Sequence, residues 1–123
     1  MANKFESFPI FTEAHSLVLL IYRLSKKFPT DEKYGLTSQI KRSSASIPSN
    51  IIEGNSRGHK KIYLEFLYIA KGSLEETKYH LLLARDLGYI NREDYDLAID
   101  ISENVGRQLS GLIQYLKKPI LKT

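Results

Sequence analysis

The run His59-Lys60-Lys61-Ile62-Tyr63-Leu64-Glu65-Phe66-Leu67-Tyr68-Ile69-Ala70-Lys71-Gly72-Ser73-Leu74, carried on through Glu75 to Leu87 and closed by Gly88, decides the fold. Over roughly 29 residues it has no proline and its apolar side chains recur at three and four, which predicts one helix about 43 Å long. Gly88 supplies the left-handed stop that ends such a helix. On a helical wheel Ile62, Tyr63, Phe66, Leu67, Ile69, Ala70, Leu74, Leu81, Ala84 and Leu87 fill an arc of roughly 160°, wider than the roughly 100° stripe of a helix with one buried face. Part of that arc is surplus to packing within one bundle, so the chain is expected to associate with further copies.

Upstream, two more stripes appear. Ala14, Leu17, Val18, Ile21, Leu24 and Phe28 give a helix over 12–28 that Pro29 ends. Leu36, Ile40, Ile47 and Ile51 give a second over 36–55, interrupted by Pro48. Proline there removes the bond that its N–H would make to the Ser44 carbonyl, so a bend is expected, with Ser43 or Ser44 satisfying the freed oxygen. Gly54 and Gly58 bracket Asn55-Ser56-Arg57 as the turn out of this helix. Downstream, Asn91 is an N-cap with Glu93 and Asp94 in the first turn. The stripe Ala98, Ile101, Val105, Leu109, Leu112 and Leu116 then runs over 92–117, closed by Lys117-Lys118-Pro119. Four helices with short turns and no alternating strand patterns predict an all-α, antiparallel up-and-down four-helix bundle. The expected division is an N-terminal extension at 1–11, the bundle at 12–118 and a C-terminal tail at 119–123.

The 123 residues suit a single core. With 42% apolar and 26% charged residues, 7 Gly and 4 Pro, the composition is that of a folded chain. Absence of cysteine excludes disulfides, thiolate metal sites and cysteine nucleophiles. The longest apolar run, Leu17-Val18-Leu19-Leu20-Ile21-Tyr22, is far short of the roughly 20 residues that span a bilayer. Met1 to Glu6 shows no secretory signal, so a cytoplasmic protein without membrane contact is expected.

The formal net charge is +4, and it is unevenly spread. Between Ser38 and Leu64, Lys41, Arg42, Arg57, Lys60 and Lys61 face only Glu53. A polyanion would be drawn to such a patch, although a solvated face that keeps the chain in solution explains the same charges.

A catalytic constellation is not visible. The sequence has no phosphate-binding glycine loop, dinucleotide fingerprint, HExxH or nucleophile elbow. His15, His59 and His80 lie on separate segments, and no glutamate is followed by histidine at the three-residue spacing of di-iron bundles. No metal and no cofactor is expected. Glu75 and Glu76 read as a solvated face, and His80 as a hydrogen-bonded core histidine. Glu53, four residues before Arg57, suggests an internal ion pair at the exit of the second helix. Beside an arginine it is a poor general base. Asn50 is expected to bond backbone opened by Pro48.

Read together, Phe28-Pro29, Tyr34-Gly35-Leu36-Thr37-Ser38-Gln39-Ile40-Lys41-Arg42, Ser46-Ile47-Pro48-Ser49-Asn50-Ile51-Ile52-Glu53-Gly54, Arg57 and Tyr63 to Ser73 form a pattern. It resembles the bacterial four-helix bundle proteins encoded in intervening sequences of 23S ribosomal RNA genes, also labelled S23 ribosomal proteins. The accessory variability protein of diversity-generating retroelements is a relative. The likeness spans about 8–116, and departs from the family pattern at Phe11, Ser43-Ser44 and Ile52, which alters packing only. It implies a homopentameric ring of bundles and a ribonucleoprotein setting. By the same resemblance, Tyr34, Pro48, Asn50 and Glu53 are packing and helix-junction residues, while Lys41, Arg42, Arg57, Lys60 and Lys61 form the basic surface.

Two functions fit these features. The first is a non-enzymatic oligomer that binds RNA or DNA through backbone phosphates, where repetition of a modest patch around a ring converts weak contacts into avidity. The second is an adaptor that presents the same surface to a protein partner such as a reverse transcriptase.

Overall fold

A computed structural model of the chain describes residues 4–119. A 3-10 turn at Lys4–Ser7 leads into α1 (Pro9–Ser25), a second such turn at Thr30–Glu32 into α2 (Leu36–Ser56), and α3 (Lys60–Asp86) and α4 (Arg92–Lys117) follow. Among the described residues there is no strand. Each helix packs on the next, and α1 closes the bundle against α4. Side-chain bonds fix the antiparallel sense of α2 and α3, since Ser43 meets Thr77 while Ser46 meets Ser73.

α1 begins three residues before the expected position 12, because Pro9 occupies its first turn, where a fixed φ favours the helix and the missing N–H is not needed. Its other end stops at Ser25, short of Phe28. There the N–H groups of Lys27 and Phe28 reach back only three residues, to the carbonyls of Leu24 and Ser25. Phe28 stays buried outside the helix, with its ring 5.5 Å from that of Tyr89.

α2 continues unbroken through Pro48 to Ser56. The serines expected to satisfy the Ser44 carbonyl do otherwise: Ser43 Oγ donates to Ile40 O at 3.3 Å and Ser44 Oγ to Lys41 O at 3.2 Å. Asn50 Nδ2 donates to Ser46 O at 2.7 Å and to Ser46 Oγ at 2.8 Å, so it grips backbone two residues beyond the carbonyl that Pro48 frees. Gly54 is not part of the turn. It is buried inside α2, where an added Cβ would stand 2.6 Å from Phe66 Cβ, so its role is to let α2 and α3 approach. The turn itself belongs to Gly58, at φ +64°.

Gly88, at φ +78°, ends α3 as expected. The Gly88 N–H bonds Arg85 O and the Tyr89 N–H bonds Ala84 O, the paired pattern that satisfies the last carbonyls of a helix. Asn91 Oδ1 accepts from the Asp94 N–H at 2.8 Å, capping α4, and Lys27 reaches across to Asp94 at 2.7 Å.

The core runs the length of the bundle through Leu17, Ile21, Ile40, Ile47, Ile51, Leu67, Leu74, Leu81, Val105 and Leu109, each fully enclosed. Truncating one of its leucines to alanine would cost about 2–5 kcal/mol. In α4 the buried set is Ala98, Ser102, Val105, Leu109 and Ile113, while Ile101, Leu112 and Leu116 pack at its margin. Ser102 enters the core by returning its hydroxyl to Ala98 O at 2.7 Å. On α3, Thr77 joins Leu67, Ala70, Leu74, Leu81 and Ala84 in the core, and Ile69 and Leu87 from the wide arc are about half exposed.

Candidate nucleic-acid interface

The helical frame divides the five expected cations into two groups. From Lys41 to Arg57 the chain advances sixteen positions along α2 and its cap, or about 24 Å. Lys41 lays its ammonium 5.0 Å from the centre of the Tyr22 ring, on the α1 side. Arg42 is exposed and donates to Gln39 Oε1 at 3.3 Å. Both line an open groove of about 550 Å³ whose other walls are Tyr22, Ser38, Ala45, Ser46 and Ser49.

At the far end of α2 Arg57 bonds Glu53 at 2.8 Å, so the expected ion pair forms, but on the surface, with both side chains half exposed. It is not internal. The guanidinium also lies 5.3 Å from the Phe66 ring centre, which leaves Arg57 less free than its neighbours to meet an anion. Lys60 and Lys61 are exposed at the start of α3.

Of the junction residues, Pro48 is buried within α2 and Asn50 is held by Ser46. Tyr34, expected to pack, instead stands 87% exposed, with only Lys33 approaching its ring, at 5.5 Å. Its sequence position beside Gly35 gives no stripe to bury it.

Packing of α3 on α4 brings together cations that the sequence reading left apart. Lys60 Nζ donates to Lys118 O at 3.3 Å, and Lys117 Nζ donates to the Tyr68 hydroxyl oxygen at 3.4 Å. Farther along the seam a groove of about 390 Å³ is bordered by Lys71, Lys78, Gly106, Arg107 and Ser110, with Glu75 and Glu103 beside Lys78. Lys78 bonds both carboxylates at 3.2 Å. Burial pulls its pKa down, yet the bonds to Glu103 and Glu75 outweigh that and leave it raised. The signal was present: in an antiparallel bundle Lys60-Lys61, opening α3, must lie near Lys117-Lys118, closing α4.

Between α2 and α3 runs a polar ladder. Ser46 Oγ and Ser73 Oγ are 2.8 Å apart, as are Ser43 Oγ and Thr77 Oγ1. His80 Nδ1 lies 3.3 Å from Ser43 Oγ, and its Nε2 lies 3.8 Å from Glu76. Burial lowers the His80 pKa, partly offset by Glu76. Hydroxyl, imidazole and carboxylate thus stand in line. Ser43, however, is only 5% exposed, and its hydroxyl is engaged with Thr77 and Ile40 O, as suits a packing seam rather than a nucleophile. Among the described residues no cluster of His, Asp or Glu is placed to hold a metal ion. Within the same residues no helix is long and apolar enough to cross a membrane.

Fold and surface together define an all-helical bundle protein with cations at its seams. The chain belongs to the 23S rRNA-intervening sequence protein family, whose pattern it matches over residues 6–111, in agreement with the resemblance carried by Ser46 to Gly54 and its flanks. It is similar to the crystal structure of a protein of unknown function from the S23 ribosomal protein family of Bacteroides thetaiotaomicron VPI-5482. That likeness has 26% identity and a TM-score of 0.79, and covers 85% of this chain and 98% of the other. No curated protein matches the chain.

Proposed function

We propose that this protein is a non-enzymatic, homo-oligomeric nucleic-acid-binding protein of the cytoplasm. On this reading it contacts RNA or DNA backbones through Lys41, Arg42, Arg57, Lys60 and Lys61 and acts in a ribonucleoprotein setting. One observation carries the reading: among the described residues Lys41, Arg42, Lys60 and Lys61 form no ion pair with a carboxylate, so their charge is available to an external polyanion. The family's link to 23S rRNA intervening sequences supports a nucleic-acid partner. Such contacts position phosphates without reading bases, so specificity comes from shape or a companion protein.

Oligomerisation enters because Ile69, Leu19, Leu97 and Tyr115 stand 52%, 58%, 49% and 68% exposed, apolar side chains that contact with further copies would cover. A pentameric ring would cover some of them and repeat the cations fivefold. The second reading is an adaptor that presents the same basic surface to an acidic or nucleic-acid-bound protein such as a reverse transcriptase, a contact to which the exposed apolar residues would add.

The test replaces all five cations by Gln or Ser and measures binding of a labelled 30-nucleotide RNA by fluorescence anisotropy. Loss of binding with the helical circular dichroism and the oligomer mass unchanged supports the nucleic-acid reading. Unchanged affinity contradicts it and leaves the adaptor in front.

A further inference from the structure

We propose that the α3–α4 seam is a binding track for single-stranded nucleic acid, with Tyr68 as the platform on which a base stacks. The inference rests on the nucleic-acid reading above and gives it a strandedness and a location that the five α2–α3 cations do not.

Tyr68 is 47% exposed and sits among cations from both helices. Lys117 Nζ touches its hydroxyl at 3.4 Å. Lys71 lies three residues on, along the same side of α3. Lys60 is bonded to Lys118 O at the mouth of the seam, and Arg107 faces Lys71 across the groove. From Lys60 to Lys71 the α3 axis advances about 16 Å. Among the described residues neither Lys71, Arg107 nor Lys117 pairs with a carboxylate, whereas Glu75 and Glu103, the acids of the groove, are both held by Lys78 at 3.2 Å. Glu65, one turn before Tyr68, is the opposing charge nearest in sequence. The groove lining thus sets three cations, Lys71, Lys78 and Arg107, against two carboxylates, both of them bonded to Lys78. Gly106 and Ser110 keep its α4 wall low, and an added Cβ at Gly106 would already meet Leu74 Cδ2 at 3.4 Å.

Cations along a groove attract any polyanion, but a half-exposed ring beside Lys117, on the seam that leads to the groove, selects further. An aromatic face gains by stacking only on a base that has left its own stack, which a single strand offers and a duplex does not. An acidic protein would satisfy the lysines and leave the ring unused.

The experiment compares a labelled 20-nucleotide single-stranded RNA with its duplex, with polyglutamate as competitor, for the wild type, Tyr68→Leu, Tyr68→Phe and Lys71→Gln/Arg107→Gln. The expected results are preference for the single strand, a loss of at least about fivefold for Tyr68→Leu on that strand alone, retention in Tyr68→Phe, and weakening of both strands in the double variant. Equal binding of both forms with Tyr68→Leu unchanged overturns the track while leaving nucleic-acid binding standing. Failure of every oligonucleotide to bind removes both. Displacement by polyglutamate at equal charge also overturns the track. If Tyr68→Leu does not fold, photocrosslinking of 4-thiouridine RNA to the wild type decides: adducts on Tyr68 support the track, and adducts confined to α2 contradict it.

Discussion

The Tyr89 hydroxyl donates to Glu32 Oε2 at 2.7 Å, joining the α3–α4 turn to the loop before α2 across 57 positions of sequence. The other carboxylate oxygen accepts the Leu36 N–H at 3.0 Å, so one side chain both caps α2 and ties it to the far end of α3. The Leu36 bond and then the Tyr89 bond hold the Glu32 carboxyl below its ordinary value, and Tyr89 is raised in turn, chiefly by the same bond. The stabilisation from Glu32 is thus complete above about pH 4.5 and is lost as pH falls through its lower folded pKa. Thermal denaturation across pH 3 to 6 should show that Glu32→Gln lowers Tm most at the upper end and little at the lower. In a double-mutant cycle with Tyr89→Phe, the two changes should be non-additive.

Two glycines predict opposite signs. At Gly54 a methyl group would collide with Phe66 Cβ at 2.6 Å and Tyr63 at 3.0 Å, so Gly54→Ala should destabilise by about 1–3 kcal/mol. Gly72, exposed inside α3, has nothing within 4 Å of an added Cβ, so Gly72→Ala should stabilise by about 0.5–1 kcal/mol. Urea unfolding of both variants checks the pair, and equal effects would contradict the packing described.

The same glycine shows how far the sequence could be read. Apolar spacing identified all four helices, since burial of a 3.6-period stripe is a local property of each segment. In sequence a glycine near a helix end looks alike whether it supplies positive φ or closeness, so Gly54 reads there as a turn residue, and only the position of Phe66 tells the two apart. Likewise Lys41 and Arg57 are near in sequence but separated by the length of α2, while Lys60 and Lys118 are distant in sequence and bonded. Tyr34 belongs to no apolar stripe, the local signal that fits its exposure, while its place in the motif points the other way.

His80 gives a second pH dependence. Burial lowers its folded pKa beneath the ordinary 6.5, so the unfolded chain binds the proton more readily and stability falls as pH drops below about 6.5. Glu76, 3.8 Å away, moderates the loss. His80→Gln should flatten the stability profile between pH 5 and 7, and an unchanged slope would show that the imidazole does not titrate differently on folding.

The exposed apolar side chains predict assembly. Light scattering at micromolar concentration should give a mass several times 14.1 kDa. Asp or Lys at Ile69 should lower it, and a monomeric mass for the wild type would defeat the oligomer.

The central claim, that the protein binds nucleic acid by neutralising phosphates, is tested most directly by the salt dependence of single-stranded RNA binding to the wild-type protein. A log–log plot of affinity against salt concentration should be linear, with a slope of about −0.7 for each phosphate neutralised, and so steeper than −2 if three or more cations engage. A flat plot, or no measurable binding at 50 mM salt, would contradict the account.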